Sequence, residues 1–186
     1  MRHILAALIL AAPVAAFGAT NYIGADYGRG ETSGLNCSTS SAADLPACVK
    51  RDDAWRLYYG FMFNERFGLR ITHTELDELR LTHENDAIFN LPVVSSRIDD
   101  LAATLSFPLS RLVSITAKGG LARWEERRSI FFFGSDSTSE GYSPVFGMNL
   151  DFGNRLLRAG VSVDVYPSVG DTDYVRYYGA GLRFVW

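Results

Sequence analysis

A hydrophobic period of two recurs along this chain almost to its last residue, and it restricts the fold more than any other feature. From Trp55 to Phe63 the odd positions read Trp, Leu, Tyr, Phe, Phe, whereas the even ones hold Arg56, Tyr58, Gly60 and Met62. Side chains of a β-strand alternate between its faces, so this segment carries one apolar face and one mixed face. The same phase returns at Phe67-Leu69-Ile71, at Leu101-Ala103-Leu105-Phe107, at Val113-Ile115-Ala117-Leu121 and at Phe146-Met148-Leu150-Phe152. Leu157 to Val165 and Tyr178 to Trp186 repeat it, and Asn21 to Gly28 supplies an eighth strand. Helical periodicity is absent, and the regular stretches have the length, about 9 to 11 residues, that a tilted strand needs to cross hydrocarbon.

The connections alternate between short and long. Short turns fall at Asn64-Glu65-Arg66, at Pro108 to Arg111 and at Gly153-Asn154-Arg155. Longer polar segments lie at Arg29 to Asp53, Leu76 to Arg97, Glu125 to Gly141 and Pro167 to Asp173. Short turns at one end and long loops at the other define an up-and-down membrane barrel. The expected fold is therefore all-β, an eight-stranded antiparallel up-and-down transmembrane barrel. Mean hydropathy of only +0.02 excludes a bundle of membrane helices. A soluble sandwich or lipocalin-like barrel is the competing architecture, because apolar-in and apolar-out strands share one pattern.

The composition of the polar face favours the membrane barrel. It holds Gly24, Gly28, Gly60, Gly120, Gly147, Gly160, Gly179 and Gly181 among single charged residues. An eight-stranded lumen has room only for side chains, so small residues must make space for long ones and charges must pair. The expected interior network comprises Arg56, Arg70, Lys118, Arg158 and Arg183 against Asp26, Asp100, Asp151 and Asp164. On the opposite face, Trp55, Tyr59, Phe63, Phe67, Phe107, Phe152, Tyr178, Phe184 and Trp186 are the expected membrane-interface aromatics.

The N-terminus adds a compartment. Met1-Arg2-His3 followed by the apolar run Ile4 to Ala16 reads as a secretory signal, and Ala16-Phe17-Gly18 offers small residues for cleavage. The expected division is a signal peptide at 1–18 and a barrel domain at 19–186, with a cut after Ala16 as the alternative. In an exported chain the only cysteines, Cys37 and Cys48, are expected to form a disulfide in the first long loop. Two cysteines without a nearby histidine make a poor metal site. The formal net charge of −3, more negative still without Arg2, gives no reason to expect a nucleic-acid partner.

These residues resemble the OmpA-like transmembrane barrel family from about Asn21 to Trp186. The resemblance is carried by Tyr22-Ile23-Gly24-Ala25, by Tyr59 to Leu69, by Lys118 to Trp124, by Ser143-Pro144-Val145-Phe146-Gly147 and by the closing Tyr177 to Trp186. That last segment is similar to the C-terminal signature read by the outer-membrane insertion machinery, although Trp186 stands where Phe is usual. The resemblance covers only the barrel, so peptidoglycan anchoring is not implied. It implies a bacterial outer-membrane location with extracellular long loops and contact with outer-membrane lipids and lipopolysaccharide. It also implies a structural or surface-interaction role, or a very small pore.

Some barrels of this kind are enzymes acting on lipid A. The histidines of the mature chain are His73, on the apolar face near the loop end, and His83, beside Glu84 in the second long segment. Neither has a serine on its own face in the His-x-Ser arrangement of barrel deacylases, so no catalytic residue, metal or cofactor is expected. A metal held by His73, Glu75, His83 and Glu84 would require that loop to fold back. Phe131-Phe132-Phe133, in the third long segment, is either a contact surface for an unknown extracellular ligand or the tip of a protruding hairpin.

Overall fold

A computed structural model describes residues 20–33, 50–80, 93–130, 135–169 and 174–186. The signal segment, both cysteines, His83, Glu84 and Phe131-Phe132-Phe133 lie outside these described residues.

Eight strands follow one another along the chain: β1 (Thr20–Ser33), β2 (Lys50–Met62), β3 (Phe67–Arg80), β4 (Val93–Pro108), β5 (Val113–Ile130), β6 (Ser135–Gly153), β7 (Leu157–Pro167) and β8 (Tyr174–Val185). Each pairs antiparallel with its neighbour in sequence, and β1 pairs with β8 to close the barrel. Closure leaves no free sheet edge, the condition for exposing strands to lipid. The seam is continued past the last strand by hydrogen bonds between Asn21 and Trp186 in both directions, each 2.9 Å.

Short side chains organise the three tight turns. The Asn64 carboxamide oxygen accepts from the amides of Arg66 and Phe67, and Asn154 does the same for Leu156 and Leu157. Ser110 Oγ accepts from Leu112 and Val113. Such side-chain acceptors replace the missing backbone partners of a turn, and they fix the register of the strands that follow.

The strands run past the boundaries read from the alternation. β5 and β6 are 18 and 19 residues long and stay paired out to Ile130 and Ser135. Glu125 to Ile130 and Ser135 to Gly141 are therefore hairpin and not loop, which corrects the expected third loop. Beyond the apolar band the outward residues are polar like the inward ones, so the period of two disappears while backbone pairing continues.

The barrel is apolar outside and charged inside. Leu101, Leu121 and Phe146 are 55%, 65% and 58% exposed, whereas Arg56, Arg70 and Asp164 are 0% exposed. A water-soluble protein buries the first set and exposes the second. The interior is layered along the barrel axis. At the loop-bearing end Leu76, Ile98, Trp124, Val145, Val169 and Val175 form an apolar plug. The middle layer is ionic and aromatic. Near the turn end, Ser106 bonds Thr116 at 2.9 Å and Thr104 Oγ1 reaches the Met62 sulfur at 3.8 Å.

Candidate functional site

Two arrangements carry most of the polar chemistry: the ionic layer inside the barrel and a charged rim around its outside. Inside, Arg56 from β2 donates to the carboxylates of Asp26 and Asp164 and, at 2.6 Å, to Ser162 Oγ, which in turn donates to Asp26 at 3.1 Å. Lys118 from β5 lies 2.7 Å from Asp164 and 3.0 Å from Asp100. Arg70 donates to Asn149 Oδ1 at 3.1 Å and stands 3.9 Å from Asp164. Arg183 pairs with Asp151 at 3.1 Å, nearer the turn end.

Four cations and four carboxylates of the expected nine residues are thus buried in mutual contact. Arg158 sits apart: it is half-buried at the turn end and donates to Ser114 Oγ at 2.8 Å and to the Asn154 carbonyl at 3.3 Å.

Tyrosine rings fill the spaces between these charges. The Arg56 guanidinium lies 4.4 Å from the Tyr177 ring centre, Arg183 lies 4.6 Å from Tyr22, and Arg70 lies 5.3 Å from Tyr58. The Tyr166 hydroxyl donates to Asp100 at 3.2 Å. Ring faces attract cations most strongly where water is excluded, so the rings supplement the carboxylates. Glycines make the room. Gly24 faces Tyr58 and Gly60 faces Tyr22 across β1 and β2, and a Cβ at either glycine would fall inside the opposing ring.

On the outer face, charged residues begin one step beyond the apolar band on successive strands. His73 Nδ1 meets Asp99 at 2.5 Å and its Nε2 lies 3.3 Å from Glu75. Arg97 donates to Glu75 at 2.9 Å, and Arg123 donates to Glu140 at 2.5 Å. The Trp55 ring packs 5.6 Å from the His73 ring. Burial pushes the Glu75 carboxyl up, but hydrogen bonds from Arg97 and His73 outweigh it and hold its pKa below the ordinary value. The hydrogen bond to Glu140 raises Arg123 above its ordinary value.

No protein-family model and no curated protein sequence matches the chain. Solved structures do. The attachment invasion locus protein Ail of Yersinia pestis, solved in complex with the heparin analogue sucrose octasulfate, is 15% identical with a TM-score of 0.61, covering 90% of this chain and 99% of Ail. Neisserial surface protein A is 14% identical with a TM-score of 0.64, covering 90% of this chain and 98% of its own. OprG from Pseudomonas aeruginosa is 10% identical at 0.64, covering 91% and 96%. The chain has the fold of the small OmpA-like outer-membrane barrels.

Within the barrel the aromatics fall into two groups. Phe63, Phe67, Phe107, Phe152, Phe184 and Trp186 are exposed toward the turn end, whereas Trp55 and Tyr178 are exposed toward the loop end. Tyr59 is half-buried and donates to Asn21 at 2.8 Å. The alternation places Tyr58 with Arg56 on the mixed face, but Tyr22, Tyr166 and Tyr177 are not among the expected interior residues. Their signal was parity: Tyr177 shares the face of Arg183.

Proposed function

We propose that this chain is a bacterial outer-membrane protein with a structural or surface-interaction role, non-catalytic, and with its long loops extracellular. The inverted surface carries this reading: buried, paired charges lie inside a closed barrel whose exterior is apolar. Such a body is stable only where hydrocarbon surrounds it. Its expected partners are outer-membrane lipids and lipopolysaccharide, the insertion machinery through β8, and an extracellular ligand of the loops. The test is migration of membrane fractions on a denaturing gel with and without boiling. A heat-dependent shift confined to the outer-membrane fraction supports the reading, whereas a soluble periplasmic protein without a shift overturns it.

An enzyme acting on lipid A is the second reading, favoured by the contact between His73 and Asp99, which has the form of a base and its orienting acid. A hydrolase also needs a nucleophile within reach of the base. Among the described residues, the outward neighbours of His73 on β2, β3 and β4 are Trp55, Leu57, Tyr59, Ile71, Glu75, Arg97, Asp99 and Leu101; none is a serine, threonine or cysteine, and the Tyr59 hydroxyl is bonded to Asn21. Both ring nitrogens already face carboxylates. A lipid A mass profile that changes on overexpression and reverts with His73→Ala would reverse this assignment.

A further inference from the structure

The two ends of the barrel carry their charges differently. At the loop end cations stand against carboxylates: Arg29 with Asp53, Arg97 with Glu75, Arg123 with Glu140 and Arg127 with Glu125. Arg176 lies opposite Glu31 in the register of β1 and β8, with its guanidinium 4.3 Å from the Tyr174 ring. The turn end is built otherwise. Each of its three turns holds one arginine: Arg66 between β2 and β3, Arg111 between β4 and β5, and Arg155 between β6 and β7. All three are exposed, and none joins an ion pair among the described residues. Glu65 is the only acidic side chain in these turns, against three arginines. Asp151, the inward carboxylate toward this end, is buried against Arg183.

Backbone bonds fix where these arginines stand. The Ser106 amide donates to the Arg66 carbonyl at 2.7 Å, Gly153 to the Leu112 carbonyl at 2.9 Å, and Val185 to the Leu156 carbonyl at 2.8 Å. Each turn is thus tied to the strand beyond it as well as braced by its own Asn64, Ser110 or Asn154. One arginine follows every second strand around the barrel mouth, and the β1–β8 seam is the one gap in the ring. Apolar side chains share the same turns. Leu109, Leu112 and Leu156 are each at least 60% exposed, and Phe67, Phe107 and Phe152 are exposed on the strand ends beside them. The apolar exterior therefore runs into the turns without a polar break. Leucines so placed gain by leaving water, and an arginine beside them keeps its stem in apolar surroundings and its guanidinium at headgroup level.

We propose that Arg66, Arg111 and Arg155 bind the phosphates of anionic glycerophospholipids in the leaflet that meets the turn end, with Leu109, Leu112 and Leu156 among the acyl chains. The inference rests on the membrane reading of the chain and adds the lipid class that this end selects. Charge complementarity carries it. A guanidinium without a carboxylate partner offers a phosphate two parallel donors, whereas the arginines of the loop end already spend theirs on Asp and Glu. A basic side chain held at an anionic lipid surface strengthens association by about fivefold. Three of them on rigid turns, spread around one rim, favour anionic over zwitterionic lipid in the shell that surrounds the barrel.

The test places the full chain in phosphatidylcholine bilayers with a trace of spin-labelled phosphatidylglycerol or spin-labelled phosphatidylcholine, and compares the motionally restricted fractions by electron paramagnetic resonance. At low salt wild type is expected to restrict phosphatidylglycerol several-fold more strongly than phosphatidylcholine, and about 0.5 M salt should shrink that preference. Arg66→Gln, Arg111→Gln and Arg155→Gln combined bring the ratio close to one. Arg123→Gln with Glu140→Gln, which removes an ion pair at the loop end, leaves the wild-type ratio. A ratio near one in wild type, or an unchanged ratio in the triple variant, overturns the proposal. If the triple variant keeps its lipid preference but loses binding to isolated peptidoglycan, the arginines belong to cell-wall carboxylates instead. Heat-modifiable migration of the same samples separates the two failures. A shift without lipid preference sinks the arginine ring alone, and no shift in any sample sinks the membrane reading with it.

Discussion

Asp164 is the residue on which the interior ionic layer converges, since Arg56, Lys118 and Arg70 all approach its carboxylate. Burying an ion pair brings little net gain, but removing one partner strands the others without solvation. Asp164→Asn is therefore expected to destabilise the barrel by about 3 to 5 kcal/mol, read as a lower urea midpoint for unfolding from lipid vesicles. Arg123→Gln breaks an ion pair of the exposed rim and is expected to leave that midpoint in place. Gly147 tests the same layer sterically. A Cβ there would lie 1.8 Å from Asp164 Oδ1 and 2.9 Å from Lys118 Cε, two side chains that their mutual ion pair holds in place. Gly147→Ala should cost about 1 to 3 kcal/mol through overpacking. At Gly119 the nearest atom to such a Cβ is 3.9 Å away on Phe146, so Gly119→Ala should be neutral or slightly stabilising in the same titration. At the rim, Glu75 has its pKa lowered in the folded state. Its contribution to stability is thus fully present above the ordinary carboxylate pKa and is lost as pH falls through the folded value. Wild type should lose more stability than Glu75→Gln over that acidic interval, and parallel curves for the two proteins would contradict the arrangement.

At the scale of the strand, legibility depended on what lay on either side of it. Through the apolar band the alternation is strict. It placed Arg56, Arg70, Lys118 and Arg183 on one face because a residue of the wrong parity would face lipid. Tyrosine escaped because it suits either side: Tyr177 fills the lumen while its neighbour Tyr178 lies on the exterior. Arg158 shares the inward parity, but its position at the turn end has it bonding Ser114, the strand partner of Asp151, and not a carboxylate. Above the band, Glu125-Glu126-Arg127-Arg128 has no apolar face to reveal a strand, and yet backbone pairing continues through Arg127 with Thr138. Arg127 and Thr138, which bound this end of the hairpin, are both exposed. Replacing Arg127 to Thr138 by Asn-Gly, which favours the tight turn of a two-residue hairpin, should preserve heat-modifiable migration. Loss of the shift would mean that the hairpin is part of the folding unit.

The whole molecule sets the question of transport. A barrel of eight strands encloses an interior only wide enough for side chains. Here that interior is filled in series: an apolar plug of Leu76, Ile98, Trp124 and Val145, then the ionic layer with its tyrosines, then the hydroxyl contacts near the turns. An ion crossing this path would have to pass Arg56 and Lys118 while both are engaged by Asp164, and then the close-packed plug of Leu76, Ile98, Trp124 and Val145. The cost of moving a charge into such surroundings is several kcal/mol even after relaxation, so spontaneous passage is slow. In planar bilayers the refolded protein should therefore show no discrete openings, with insertion verified by heat-modifiable migration of the same preparation. Regular conductance steps would mean that the plug and the ionic layer rearrange together. Asp164→Asn, which loosens that layer, would then be expected to raise the open fraction above that of wild type.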